Sequence, residues 1–112
     1  MNIYGIKTCD TCRKARKWLD GHGVGYQWHD LREDGLDGAM VRRWLASVGP
    51  EALVNRRSTT WRALDERQRV AAMGEDGAVE LLLGYPTLIK RPLIEQGERI
   101  LLGFDAKVME AL

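Results

Sequence analysis

The stretch NIYGIKTCDTCRKARKWLDGHGVGYQWHD, residues 2–30, decides the fold. Asn2 to Tyr4 suit a short strand that Gly5 ends. From Thr11 to about Gly21 the period turns helical: Cys12, Ala15 and Leu19 recur on one face, while basic residues and Asp20 fill much of the other. Asp10 or Thr11 is placed to cap the start of this helix, and Gly21 with Gly23 to stop it. Val24, Tyr26 and Trp28 then alternate with Gly25, Gln27 and His29, the pattern of a half-buried strand. A helix between two strands forces a crossover, so the strands are expected to run parallel. Both cysteines fall where the first strand hands over to the helix.

Working outward, Asp30 to Gly35 read as a polar loop. A helix follows whose apolar face is Leu36, Met40, Val41, Trp44, Leu45 and Val48, ended by Gly49 and Pro50. Leu53 and Val54 lead into a basic turn, Asn55 to Arg57. Short helices are expected at Trp61 to Arg67, Val70 to Met73 and Ala78 to Leu83, the last ended by Gly84 and Pro86. Thr87 to Lys90 and Leu93 to Glu95 read as extended, interrupted by Pro92. Gln96, Gly97 and Glu98 make a turn into a final strand, Arg99 to Leu102, which is a hairpin signal. Asp105 can cap a closing helix through Leu112. The expected architecture is α/β: a mixed four-stranded sheet flanked by helices, with a helical insertion at about residues 36–84 between the second and third strands.

Composition bounds the rest. A chain of 112 residues suits one domain, 1–112, and its 45% hydrophobic and 29% charged residues are ordinary for a globular protein. Seventeen basic residues against sixteen acidic ones leave a formal charge of +1, so overall charge gives no argument for direct nucleic-acid or membrane binding. No apolar run is long enough to span a bilayer, and the opening residues lack a signal peptide's apolar stretch. The expected compartment is the cytoplasm, where thiols stay reduced.

C-x-x-C beside a strand-helix-strand unit in such a chain is the thioredoxin-like redox signal. Cys9 lies at the mouth of the helix, where free N–H groups and the dipole favour an anion, and Cys12 is one turn further in. Helix N-termini and nearby cations lower thiol pKa. Lys7, Arg13, Lys14, Arg16 and Lys17 crowd this region with only Asp10 among them, and Lys7 and Arg13 are the nearest cations in sequence. Cys9 is therefore the expected attacking thiolate and Cys12 the resolving thiol. Two other readings stay open. C-x-x-C can be half of a zinc site, but a structural site needs four ligands, and the strand reading turns His29, one of the two histidines, away from the helix mouth. The cysteines can also be inert, and Lys14, Arg16 and Lys17 merely a solvated face. Thioredoxin-like sites place a cis proline opposite the cysteines, before an antiparallel strand; Pro92 has that context, and Arg91 would then face the thiolate. Asn55, Arg56 and Arg57 form a second basic element suited to oxyanions or carboxylates, or else a helix start capped by Ser58 or Thr59. The four tryptophans are expected in the core or at an interface.

IYGIKTCDTCRKA (3–15), NRRSTTWRALDE (55–66) and YPTLIKRPLI (85–94) together resemble the arsenate reductase-like family, the glutaredoxin-coupled class with its relatives Spx and YffB. The run TTWR-x-LDE looks most like the YffB branch. The resemblance implies a single thioredoxin-like domain with a helical insertion. It implies that Cys9 matches the family's nucleophile and that Arg13 matches a residue holding the thiolate and bound oxyanion. Arg91 and Pro92 match the family's R-P element, and Arg57, with Asn55, falls in a segment that supplies another anion-binding arginine. Two departures matter. Arsenate reductases of this class carry a further arginine where this chain has Leu102, and a serine where it has Cys12. Both favour thiol-disulfide reduction over arsenate chemistry, with glutathione or another small thiol as co-substrate and no bound cofactor, and with glutaredoxin or a protein disulfide as possible partners. The alternatives are an Spx-like redox-sensing regulator that binds RNA polymerase, and arsenate reductase itself.

Overall fold

Strand β1 (Asn2–Gly5) is the centre around which the first part of the chain is built. Helix α1 (Asp10–Gly21) carries the chain to β2 (Gln27–Asp30), which pairs with β1 in parallel, Ile3 beside Trp28 and Gly5 beside Asp30. The computed structural model describes residues 1–112. Its remaining elements are α2 (Gly38–Val48), α3 (Pro50–Leu53), α4 (Thr59–Ala63), α5 (Glu66–Ala71), α6 (Glu75–Gly84), a 3-10 turn (Pro86–Leu88), β3 (Leu93–Gln96), β4 (Arg99–Leu102) and α7 (Ala106–Ala111). The sheet runs β2-β1-β3-β4, with β3 antiparallel to both β1 and β4. This is the mixed four-stranded sheet flanked by helices, with helices α2 to α6 between the second and third strands.

The chain forms two compact units. Residues 1–34 and 91–112 make the first, and residues 35–90 the second. In the first, side-chain alternation puts Ile3 and Ile94 on one face of the sheet. Leu19 of α1 and Val108 of α7 close over them, with Trp18, Trp28, Leu101 and Phe104 packed around the edge. The hairpin turns at Gly97, whose φ of 65° suits the first position of a two-residue turn. Asp105 caps α7 by accepting from the Val108 N–H.

In the second unit α2 buries Val41, Trp44 and Leu45, and Arg42 ties α2 to α6 through Asp76 at 2.9 Å. A single antiparallel bridge joins Val54 to Ile89, flanked by hydrogen bonds from Asn55 N–H to Leu88 O (2.7 Å) and Lys90 N–H to Leu53 O (2.9 Å).

Several local expectations are corrected. Neither Asp10 nor Thr11 caps α1. Cys9 is the N-cap residue, with no side-chain cap; Asp10 is already the first helical residue, and its carboxylate pairs with Arg13 at 2.5 Å. Strand β2 starts at Gln27 rather than Val24. The Val24 N–H returns to Leu19 O to close the helix end, and the ladder begins only where the Gln27 N–H reaches Met1 O. Asp30 is the buried last residue of β2, not part of a loop. Gly49 and Pro50 end α2 but also open α3, since proline suits a first helical turn. The expected helix from Trp61 to Arg67 is broken at Leu64 and Asp65, where Asp65 and Gln68 form a reciprocal capping box that starts α5. Thr87 to Lys90 is not an extended run; Pro86–Leu88 is a 3-10 turn and Ile89 supplies the bridge.

Candidate active site

Three strand ends meet at one end of the sheet. Gly5 closes β1 beside Asp30, the end of the parallel β2. Tyr4 lies opposite Leu93, the start of the antiparallel β3. The loop that leaves Gly5 for Cys9 and the Arg91–Pro92 segment that enters β3 therefore emerge together.

Asp30 fixes the loop between β1 and α1. Its carboxylate accepts main-chain N–H groups from Lys7 at 3.0 Å, Arg32 at 2.8 Å and Glu33 at 3.0 Å. Burial raises the Asp30 pKa, but these three donors and the Lys7 charge outweigh it and hold the carboxyl below the usual range. Beyond Lys7 the Cys9 N–H bonds Ile6 O at 3.0 Å, and Arg13 N–H bonds Cys9 O at 3.0 Å. Cys9 is thus the hinge between loop and helix, half-buried, with the free N–H groups of the first turn above it. Cys12, one turn in, is fully buried beside Ala15 and Leu19.

The two thiols differ sharply. Burial pushes Cys9 up, yet the Cys12 N–H, the Arg91 guanidinium and the Cys12 thiol all hydrogen-bond its sulfur, and together they hold it below the ordinary thiol value. Cys12 is pushed up to about 12, first by burial and then by the adjacent Cys9, against opposing effects of the Ile6 main chain and Arg91. A proton shared between these sulfurs therefore rests on Cys12. The pair sets a half-buried sulfur that loses its proton more readily than an ordinary thiol against a buried one that holds its proton.

The sequence reading names Lys7 and Arg13 as the nearest cations and sets Arg91 facing the thiolate; the first two are engaged elsewhere. Lys7 is paired with Glu33, and Arg13 with Asp10. Arg91 supplies the charge instead. The Arg91–Pro92 peptide is cis, and Pro92, fully buried, accepts the Gly103 N–H at 2.9 Å. Both histidines are engaged away from the sulfurs. His22 Nδ1 lies 2.7 Å from Trp18 O, and His29 Nε2 lies 3.1 Å from Asn2 Oδ1 while its ring stacks on Tyr4. Arg16 lies over the Trp28 ring at 4.3 Å rather than in open solvent. Of the tryptophans only Trp44 is fully buried.

Cys9, Cys12, Arg91 and Pro92 thus belong to the first unit. Asn55 and Arg57 belong to the second, in the turn after α3. There the Asn55 side chain is used locally, accepting the Arg57 N–H at 3.1 Å, and Ser58 caps α4. Two contributors escape sequence reasoning. Asp30 looks like a loop acid, although its place at the end of an alternating run was a usable signal. Gly5 looks like a strand terminator, but its bare Cα is where Cys12 and Trp28 pack.

The comparisons with known proteins bear on the family and the fold. The ArsC family model matches residues 4–112. A protein of Haemophilus influenzae described as uncharacterized is 44% identical over 111 residues, covering 99% of this chain and 96% of its own. The global transcriptional regulator Spx of Streptococcus pyogenes is 31% identical over 113 residues, covering 99% of this chain and 83% of its own. The solved structure of a protein named YFFB superposes with a TM-score of 0.90 at 47% identity, covering 98% of this chain and 96% of that one. An arsenate reductase (ArsC) related protein from Brucella melitensis gives 0.80 at 43% identity, covering 98% and 91%. From its first strand to its last helix, the chain belongs to the ArsC family.

Proposed function

We propose that this protein is a thiol-disulfide reductase in which Cys9 is the nucleophile and Cys12 the resolving thiol. The observation that carries this reading is the convergence of three donors on the Cys9 sulfur: the Cys12 N–H, the Cys12 thiol and Arg91. The Cys9 thiolate attacks one sulfur of a substrate disulfide, forms a mixed disulfide and releases the other half as a thiolate. Until then the negative charge on Cys9 is one reason Cys12 keeps its proton. The mixed disulfide removes that charge, so Cys12 ionises more readily once there is something to resolve. Its proton passes to the departing thiolate or to water, and its sulfur displaces the substrate half to leave a Cys9–Cys12 disulfide. Two molecules of a small thiol then restore both cysteines and leave as their own disulfide. Glutathione is the thiol we propose, and the cytoplasm the compartment. No helix is long and apolar enough to cross a membrane.

Arsenate reduction is less favoured, because Leu102 lies in β4 opposite Leu93 and adds no charge to the site. A second reading has a specific basis in the Spx relatives: a thiol pair that switches a protein-binding surface, RNA polymerase being the partner to try.

The test is alkylation rate against pH for the native protein, Cys9→Ser and Cys12→Ser. The reductase reading requires fast alkylation at neutral pH that Cys9→Ser alone abolishes. Slow alkylation with an ordinary thiol profile would remove the nucleophile and leave the switch.

A further inference from the structure

The second unit contains a cavity of about 330 Å³ whose wall is formed by α3, the Asn55–Arg57 turn and Lys90. Its chemistry is uneven. Arg56, Arg57 and Lys90 contribute three cations, and Glu51 the only carboxylate. All four side chains are exposed, and none is in a salt bridge. That contrasts with Lys7, Arg13 and Arg42, whose charges are matched by nearby acids.

The local fold does not use these charges. Main-chain groups do the structural work: the Val54–Ile89 bridge, Asn55 N–H to Leu88 O, Lys90 N–H to Leu53 O, and the Asn55 side chain closing the turn on the Arg57 N–H. This framework brings Lys90 beside Arg56 and Arg57, although like charges so gathered repel each other without an anion between them. Guanidinium forks match carboxylates in two-point geometry, and lysine adds a point charge. Glu51 on the same wall is misplaced for a simple anion site but suits a ligand that also carries an ammonium group.

We propose that this cavity binds the amino-acid end of a small, net-anionic peptide, with Arg56, Arg57 and Lys90 taking carboxylate and Glu51 taking the α-ammonium. Glutathione has that charge pattern, with two carboxylates and one ammonium, so the inference deepens the co-substrate reading. It rests on that reading for the identity of the peptide.

The experiment titrates the full chain with S-methylglutathione, which cannot exchange thiols, and follows backbone amide shifts by NMR. Saturable shifts are expected at Asn55 to Arg57 and at Lys90. Arg56→Ala and Lys90→Ala should each weaken binding roughly tenfold, the loss expected for one charge-assisted hydrogen bond at the low end of its range. Glu51→Gln should weaken S-methylglutathione but not succinate, which has carboxylates and no ammonium. Three results overturn the proposal: no saturable shift at these amides, binding indifferent to Arg56 and Lys90, or inorganic phosphate binding as tightly as S-methylglutathione. If these occur while Cys9 still alkylates fast, the cavity assignment fails and the reductase reading stands. If binding holds and alkylation is slow, the reverse is true.

Discussion

Replacing Gly5 by alanine tests how tightly the thiol pair is built into the sheet. A methyl carbon at Gly5 would lie 2.6 Å from Cys12 Sγ, 2.8 Å from Trp28 Cη2 and 3.2 Å from its Cζ3. Both neighbours are restrained. Cys12 is fully buried and hydrogen-bonded to Cys9, and the Trp28 ring carries the Arg16 guanidinium 4.3 Å from its centre. Gly5 is not among the glycines with positive φ, so alanine meets no backbone penalty there. Overpacking of this kind costs about 1–3 kcal/mol. The reduced freedom of the unfolded chain returns about 0.4–1 kcal/mol. The net loss is about 1–2 kcal/mol, or a fall in Tm of roughly 4–8 °C at this chain length.

Thermal unfolding measures that fall, and two further readouts locate it. Displacing Cys12 Sγ weakens its hydrogen bond to Cys9, so the alkylation profile of Cys9 should move to higher pH. In a double-mutant cycle with Cys12→Ala the closest clash disappears, so Gly5→Ala should cost less there than in the native chain, by about 0.5–1 kcal/mol. A Gly5→Ala protein with native Tm and native alkylation profile would refute the packing argument. Strict additivity in the cycle would show that Trp28, not Cys12, is the neighbour that matters.

Three other predictions follow from the same geometry. Arg91→Met removes a hydrogen bond and a positive charge from the Cys9 sulfur, so the Cys9 alkylation profile should move up in pH, with Arg91→Lys between it and native. Asp30→Ala leaves three main-chain N–H groups without their acceptor and should cost about 2–4 kcal/mol in urea unfolding, taking these charge-assisted bonds as only partly additive. Because the Asp30 pKa is lowered by folding, its contribution is fully present above the unfolded value of about 3.9 and is lost as pH falls through the lower folded value. Native stability should therefore drop more steeply on acidification below about pH 4 than that of the alanine variant, and equal slopes would remove Asp30 from the account. Leu19→Ala empties a fully buried position between α1 and the sheet and should cost about 2–5 kcal/mol, seen as a lower urea midpoint with Cys9 alkylation unchanged in the folded protein.

What the sequence showed directly were features written in one dimension. The helical spacing of Cys12, Ala15 and Leu19 and the hairpin around Gly97 each depend on neighbours a few residues apart, and each was readable from those neighbours. The cis form of Arg91–Pro92, by contrast, was expected only from the likeness to thioredoxin-like sites. The cations around Cys9 were only partly legible: Arg91 was expected to face the thiolate, but the weight on Lys7 and Arg13 came from sequence distance alone. Lys7 and Arg13 are close to Cys9 in sequence, but each is paired with an acid, Lys7 with Glu33 beyond β2 and Arg13 with Asp10 on its own helix. The remaining cation has to come from distant sequence, and sheet topology determines which one arrives. Because β1 is parallel to β2 and antiparallel to β3, the end of β1, the end of β2 and the start of β3 coincide. Those three points are Gly5, Asp30 and the segment following Arg91. The register that brings them together is set by Ile3 facing Ile94, both fully buried under Leu19. A slip of one residue in β3 would turn Ile94 out of that core and carry Arg91 away from the sulfur. The apolar pattern that makes the sheet therefore also positions one of the groups that lower the Cys9 pKa, so Ile94→Ala, which loosens the β1–β3 register, should raise that pKa without touching a single residue of the site.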